Sequence, residues 1–547
     1  MIPTVADLVR ARADDDNPAL RFEDAQYSYR EYVKGCAERA ALLLALRQPG
    51  PFHVGALLDN VPDYPLLLGA AALAGATVAG LNPTRRGREL QRDVRHTNCQ
   101  IIITESKYRP LLDALDLGVP EERIFDVDSP AYRKALEAHR GAALPDIEID
   151  PLAPYLLLFT SGTTGDPKAA ICSQARLAGI GRTLSEMRGF TSQDIAYLVM
   201  PMFHSNALMA GWAPALSQGM CAALRRKFSA SGFLPDIRKF GATYVNYVGK
   251  PLTYVLATPE RADDADNPLR VAFGNEGAEH DLKRFSKRFG CEVIDSYGST
   301  EGGISIGRTP DTPPGALGVG APGTRIVDPE TLKECAPARF DATGRLANAD
   351  EAVGEIINDQ SARSFEGYWN NEEANHERTH DDIYWSGDLG YRDEDGFIYF
   401  AGRNFDWLRV DGENFAAAPI ERILVRHEDV SLACVYAVPN ANVGDDVMAA
   451  LILHPGRHFD AKRFAAFLAE QPDLGTKSAP RYVRVAETLP QTETNKILKR
   501  ELRRERWECQ GVWIRDENDA YREIQPGDVE QIRQNFEARN RLSALDG

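Results

Sequence analysis

The stretch Leu156-Leu-Leu-Phe-Thr160-Ser161-Gly162-Thr163-Thr164-Gly165-Asp-Pro-Lys168, running on into Ala169-Ala-Ile-Cys172, decides the fold of this chain. An apolar run of strand character stops abruptly at hydroxyl residues and glycines, closes on a lysine, and resumes as a second apolar run. Glycines let backbone N–H groups approach an anion closely, hydroxyls add donors, and the lysine supplies positive charge. That is the chemistry of a phosphate-binding loop. The spacing is not G-x-x-x-x-G-K-[ST], and a strand rather than a helix follows, which sets the loop apart from that nucleotide motif.

Outward from the loop, residues 54–58, 76–79, 101–104 and 196–200 have strand character, and helical patterns cover Tyr29–Leu46 and residues 88–95. The alternation predicts an α/β protein whose helices cover mostly buried sheets. Residues 65–81, PLLLGAAALAGATVAGL, are rich in Gly and Ala and slightly short for a membrane span. They predict a buried helix running into a buried strand. Gly and Pro cluster at residues 309–323, which predicts a surface loop leading into a smaller β-rich section. Past Gly402 the texture changes to a smaller α/β unit with strands at 433–438 and 449–453, ending in a charged, partly helical tail from about Trp513.

At 547 residues the chain exceeds the size of one hydrophobic core, so two or more domains are expected. With 63 basic and 80 acidic residues it carries a net charge of −17, which argues against a nucleic-acid partner. Short basic clusters, Arg85-Arg86 with Arg88 and Arg500 with Arg503-Arg504, read as solvated helix faces. The eight cysteines are scattered singly without a C-x-x-C pair, so neither a zinc site nor a disulfide framework is expected, and a cytoplasmic location is. The first twenty residues lack the pattern of a signal peptide.

The string Ser161–Lys168 resembles the signature loop of the adenylate-forming superfamily, which includes acyl-CoA synthetases, adenylation domains of peptide synthetases, and luciferases. Four further motifs follow in that family's order. The resemblance implies a large multi-subdomain N-terminal α/β domain over residues 1–402, a hinge at 403–407, and a small mobile C-terminal α+β domain over 408–547. It assigns Ser161, Gly162, Thr163, Thr164, Gly165 and Lys168 to ATP phosphates. Gly274, Asn275 and Glu276 fall where the family flanks adenine. In the Y-G-x-T-E motif, the strand is expected to end at Tyr297, which stacks on adenine beside Gly298. Thr300 bonds the α-phosphate, and Glu301 binds Mg²⁺, a metal that favours oxygen. Asp388 binds both ribose hydroxyls, and Arg403 meets the ribose. Gly412 lies beside the pantetheine channel of coenzyme A. Lys496 matches the lysine of the C-terminal P-x-T-x-x-G-K motif and stabilises the phosphate as pyrophosphate leaves, with Asn495 in place of the usual Gly. Phe405 departs from the family's Asp or Lys, which leaves the pivot residue open. Lys499 and Arg500 are read as solvated helix residues.

Arg225-Arg-Lys-Phe-Ser-Ala230, Tyr247-Val-Gly-Lys250, Ala272-Phe-Gly-Asn275 and Trp407-Leu-Arg-Val-Asp-Gly-Glu-Asn414 resemble the fatty-acid-transport-protein and very-long-chain acyl-CoA synthetase branch. In the pocket motif Phe203-His204-Ser-Asn206, no Asp is present to pair with an α-amino group. The expected substrate is therefore an apolar carboxylic acid without an amine, with His204 as a carboxylate neighbour or an aromatic gate. The expected activity is ATP-dependent ligation of a long- or very-long-chain fatty acid to coenzyme A, with a steroid side-chain acid as the alternative. Acyl transfer to a carrier protein and a non-catalytic lipid-binding or import role are the readings of other classes. No transmembrane span is expected, peripheral membrane contact stays open, and oligomeric state is not readable.

Overall fold

The computed structural model of the chain describes residues 3–545 other than 161–167, 278, 330, 343, 345, 404–406, 411–412, 443–444, 472–473, 475–476, 492–496, 517–518 and 540. Two compact units emerge: Met1–Arg308 with Ser361–Asp381, and Thr309–Gln360 with Asp382–Gly547.

In the first unit one sheet runs in the order Ile124–Asp126, Cys99–Thr104, His53–Leu57, Thr77–Gly80, Pro154–Thr160, Lys168–Ser173. All pairs are parallel except the last, in which Pro154–Thr160 and Lys168–Ser173 run antiparallel. A second sheet runs Glu292–Asp295, Val271–Asn275, Tyr244–Val248, Ile195–Leu198, Cys221–Leu224, Pro18–Phe22, Ala25–Ser28, parallel up to the final antiparallel hairpin. Parallel strands need covering helices on both faces, and the sequence supplies them. Tyr29–Leu46 begins at a capping box in which Ser28 and Glu31 exchange hydrogen bonds. Asp63–Ala74 is apolar all round and buried from Tyr64 to Ala74, and Gly75 ends it at φ +64°. The strand Thr77–Gly80 follows at once, as the composition of residues 65–81 predicts. Among the described residues no helix is long and apolar enough to cross a membrane.

The second unit opens with antiparallel strands in the order Gly318–Gly320, Phe397–Arg403, Ile383–Arg392, Gly354–Asn358, Thr324–Val327. The Gly/Pro-rich stretch 309–323 is thus not loop throughout, because Gly318 and Val319 pair with Ile398 and Phe397. From Trp407 onward come the ribbon Trp407–Val410 with Glu413–Ala416 and a sheet ordered Val430–Pro439, Asp445–Leu453, Tyr482–Val485, Val512–Arg515, Tyr521–Glu523. Its two apolar cores, around Leu408, Val435 and Phe464 on one face and Tyr436, Tyr482 and Trp507 on the other, are built from residues beyond 407.

Two charged readings need correction. Arg85 is no solvated cation: its Nε lies 3.0 Å from the buried carboxylate of Asp93. Lys499 pairs with Glu421 at 2.9 Å, and Glu421 in turn accepts from the Val435 N–H. Both acids sit where an uncompensated charge would be costly, and that recruits the basic residue.

Candidate functional site

Of the residues singled out in the sequence, 161–165, 405, 412, 495 and 496 lie outside the described residues. Lys168 is described. Thr160 and Lys168 face each other in register, so the two ends of the phosphate loop are held side by side by the antiparallel pair. The Lys168 side chain is nearly buried, with its ammonium 3.0 Å from Glu377 Oε2 and 5.5 Å from the centre of the Tyr368 ring.

Segment 361–381 reaches the same strand from far along the chain. Ile171 N–H donates to Gly367 O at 2.9 Å and Trp369 N–H to Ala169 O at 2.8 Å, so Tyr368 lies opposite Ala170. The Tyr368 hydroxyl donates to Glu301 Oε1 at 2.8 Å. Glu301 is 9% exposed and forms no ion pair among the described residues.

The strand Glu292–Asp295 stops two residues short of Tyr297. Tyr297–Gly298 instead pairs antiparallel with Ser305–Gly307, and Thr300 and Glu301 lie in the turn between those strands. Two contacts fix that corner. Thr300 Oγ1 and Ser205 Oγ are 2.7 Å apart, and Arg176 donates to Thr300 O at 2.6 Å while also reaching Ile171 O at 3.1 Å. Gly302, at φ +79°, lets Arg176 pass: a Cβ there would stand 2.3 Å from its Nη2. The corner is therefore tied both to the strand after the phosphate loop and to the pocket motif.

In that motif His204 stacks obliquely on Phe203, with ring centres 4.2 Å apart. Asn206 opens the π-helix Asn206–Trp212, a form that recurs at functional sites. Asn206 Nδ2 donates to Tyr247 O at 3.0 Å, and Asn246 Nδ2 donates to Asn206 Oδ1 at 2.7 Å, locking the motif to the strand Tyr244–Val248.

Gly274 and Asn275 end their strand, and Glu276 turns the chain at φ +63°, unusual for a residue with a side chain. The turn is braced by Asp295, which accepts from Gly277 N–H at 2.8 Å and from the Tyr247 hydroxyl at 2.9 Å. Burial pushes the Asp295 carboxyl up to about 6, against those hydrogen bonds and the attraction of Arg308, with Glu276 adding repulsion. The folded state thus holds this proton more tightly than the unfolded chain, whose carboxyl titrates near about 3.9. The group's contribution to stability is full below that value and is lost as pH rises through about 6. Asp295→Asn cannot ionise, so the fall in melting temperature between pH 4 and pH 7 should be shallower in the variant than in the parent. Parallel melting profiles would contradict the assignment.

In the second unit Asp388 lies inside the strand Ile383–Arg392, beside a register shift at Leu389/Gly390. Its N–H donates to Ser386 Oγ at 3.0 Å, and Gly387, at φ +70°, donates to the buried Glu355 at 2.7 Å. Asp388 pairs across the ladder with Arg403, so two residues expected at one ribose are direct cross-strand neighbours. Ser205, Arg176, Tyr368 and Asp295 escaped the sequence reading. Ser205 carries a signal, lying within the quoted pocket motif, and Asp295 stands two residues ahead of the Y-G-x-T-E motif, whereas Arg176 and Tyr368 carry none.

In the first unit, then, an antiparallel strand pair flanks residues 161–167 and the Thr300–Glu301 corner is tied to the Phe203–Asn206 motif; in the second, Asp388 and Arg403 are ladder partners. The AMP-binding enzyme family matches residues 9–369 and the AMP-binding enzyme C-terminal domain matches residues 419–496. The chain is 48% identical to steroid-22-oyl-CoA synthetase of Rhodococcus jostii over 99% of both chains. It is 48% identical to the medium/long-chain-fatty-acid–CoA ligase FadD17 of Mycobacterium tuberculosis, over 93% of this chain and 98% of that one. More distantly, it is 30% identical to long-chain fatty acid transport protein 5 of Mus musculus over 80% of this chain and 67% of that one. The crystal structure of ATP-bound MatB from Rhodopseudomonas palustris superposes with a TM-score of 0.78 at 25% identity, covering 91% of this chain and 98% of that one. The chain belongs to the AMP-binding enzyme family, and it is a ligase.

Proposed function

We propose that this ligase activates an apolar carboxylic acid with ATP, forming acyl-AMP and pyrophosphate, and passes the acyl group to coenzyme A with release of AMP. The observation that carries the reading is the Thr300–Ser205 hydrogen bond, which joins the phosphate-facing corner to the acid-pocket motif. An acid carboxylate held at His204–Ser205 would then meet the α-phosphate at Thr300. Tyr297 and the Gly274–Glu276 turn take adenine, Asp388 and Arg403 the ribose, and residues 161–165 with Lys168 the polyphosphate. Lys168 must exchange Glu377 for phosphate oxygen, a small cost because Glu377 is half exposed.

Among the described residues no group of three or more His, Cys, Asp or Glu is placed to hold a metal by itself. One nearly buried carboxylate, Glu301, suits Mg²⁺ that arrives on ATP, which commonly uses one or two protein carboxylates plus phosphates. When bound, the ion neutralises phosphate charge. We assign the domain boundary to residues 403–407, supported by the separate cores of the segment beyond 407. Movement there would withdraw Lys496 after adenylation and bring Gly412 to the adenylate, so that one site serves both half-reactions. The described cysteines are all free thiols, which suits a cytoplasmic location.

For the acid we favour a medium- to long-chain fatty acid, with a steroid side-chain acid as the second reading because the Rhodococcus relative matches end to end. Pyrophosphate release on mixing acid and ATP tests the chemistry. Comparing kcat/KM for acetate, phenylalanine, palmitate and a C24 steroid acid tests the substrate. Each buried CH₂ contributes roughly 0.8 kcal/mol, so the long acids should win by orders of magnitude. A preference for acetate or phenylalanine would overturn the substrate reading alone.

Backbone packing at the adenine turn gives a further expectation. A Cβ on Gly249 would stand 1.8 Å from the Glu276 carbonyl oxygen, and one on Gly274 2.2 Å from Tyr247 O. Neither backbone oxygen can swing aside as a side chain would. Gly249→Ala should cost about 1–3 kcal/mol in thermal or urea melts and raise KM for ATP more than KM for the acid. Equal changes in both KM values would separate this turn from the nucleotide.

A further inference from the structure

Tyr368 joins two groups that the ligase reading assigns to ATP, although it belongs to none of the motifs. Its hydroxyl donates to Glu301 Oε1 at 2.8 Å, and its ring carries the Lys168 ammonium 5.5 Å from its centre. The side chain is 2% exposed and packs with Ala170, Ala374 and Phe365. Its backbone is clipped on both sides by Asn375, whose Oδ1 accepts from Tyr368 N–H and whose Nδ2 donates to Tyr368 O at 3.2 Å. The ring is therefore held from its own segment, and the Ala170 pairing sets it against the strand that leaves the phosphate loop.

We propose that Tyr368 is a positioning residue of the nucleotide site, fixing the Glu301 carboxylate and the Lys168 ammonium relative to each other. This rests on the ligase reading above. A carboxylate free to rotate spends most orientations away from a phosphate-borne cation, and a donor on one oxygen selects the orientation of the other. Outer-sphere donors of this kind change metal affinity or activity by about 10–100-fold when removed. The ring adds a second constraint: it holds the ammonium from one side while the half-exposed Glu377 pairs with it, and it keeps that hold when phosphate oxygen replaces the carboxylate. One buried side chain thus aligns the carboxylate with the charge at the end of the loop.

The test uses the full chain and two variants, with ATP binding followed by titration calorimetry in EDTA and in Mg²⁺. Tyr368→Phe removes only the hydroxyl. ATP affinity in EDTA should stay within about twofold, the gain in affinity on adding Mg²⁺ should shrink about tenfold, and the melting temperature should hardly move. Tyr368→Leu also removes the aromatic face and should weaken ATP binding in EDTA by about three- to fivefold. A parental Mg²⁺ gain in Tyr368→Phe would overturn the proposal, as would equal losses in EDTA and Mg²⁺ accompanied by a lower melting temperature. Glu301→Gln separates the two levels of the argument. If it loses the Mg²⁺ gain while Tyr368→Phe keeps it, Tyr368 alone is misassigned. If Glu301→Gln keeps the gain, the metal role of Glu301 falls and the proposal falls with it.

Discussion

Replacing Lys496 with alanine is expected to slow acyl-AMP formation by about 10²–10³-fold while leaving thioester formation from supplied acyl-AMP near its parental rate. Attack of the acid carboxylate on the α-phosphate crowds negative charge onto five phosphate-bound oxygens as pyrophosphate departs. A lysine aimed at that charge acts in the transition state more than in the ground state, so its loss appears in kcat rather than in KM for ATP. Residues 492–496 lie outside the described residues, but their flanks are well anchored. Gln491 pairs with Ile497, Leu498 N–H donates to Pro490 O at 2.8 Å, and Lys499 pairs with Glu421. Alanine at 496 therefore should not disturb the surrounding unit. Acid-dependent exchange of pyrophosphate into ATP measures the first half-reaction directly. Near-normal exchange in the variant would remove Lys496 from the mechanism.

Gly412→Leu is expected to have the opposite phenotype, with acyl-AMP forming at close to the parental rate and acyl-CoA formation collapsing. The reasoning is steric: on the proposed placement of residue 412 beside the pantetheine path, four extra carbons would obstruct the thiol and leave the proposed ATP ligands unchanged. Val410 pairs with Glu413 across the ribbon, and the sequence between them is Asp411-Gly412, a dipeptide that two-residue hairpin connections favour. Leucine carries a second liability there, and the two half-reactions separate the effects. Loss of thioester formation alone supports the channel. Equal loss in both, with a lower melting temperature, would mean that the ribbon has been damaged and the channel role is unsupported.

Much of the fold was legible before any tertiary contact was considered. The alternation of apolar runs and amphipathic segments sets the α/β layers, and Ser28 with Glu31 and Gly75 mark helix ends through local hydrogen bonding and backbone freedom. The strand pair around the phosphate loop was equally clear, because two apolar runs flank a string too rich in glycine and hydroxyls to be either helix or strand. Local information failed where a residue's environment is supplied from elsewhere. Nothing local in Trp-Ser-Gly-Asp shows that Asp388 pairs with Arg403, which follows from Gly354–Asn358 and Phe397–Arg403 pairing on both sides of its strand. Arg85 and Lys499 look like surface charges, yet each meets a carboxylate contributed by another element or by the far end of its own.

By itself, then, the sequence determined the α/β class, the strand pair on either side of residues 161–167 and the family, since each is carried by residues adjacent in the chain. Only the tertiary structure decided that Thr300 touches Ser205, that Arg176 spans from Ile171 to Thr300, and that Tyr368 stands between Glu301 and Lys168. Apart from Arg176 and Ile171, which are five residues apart, those partners lie dozens to hundreds of residues apart, and nothing in the composition of one predicts the other. Hydrogen bonds act over about 3 Å of space whatever the separation in sequence, so the chain has to fold before such partners exist.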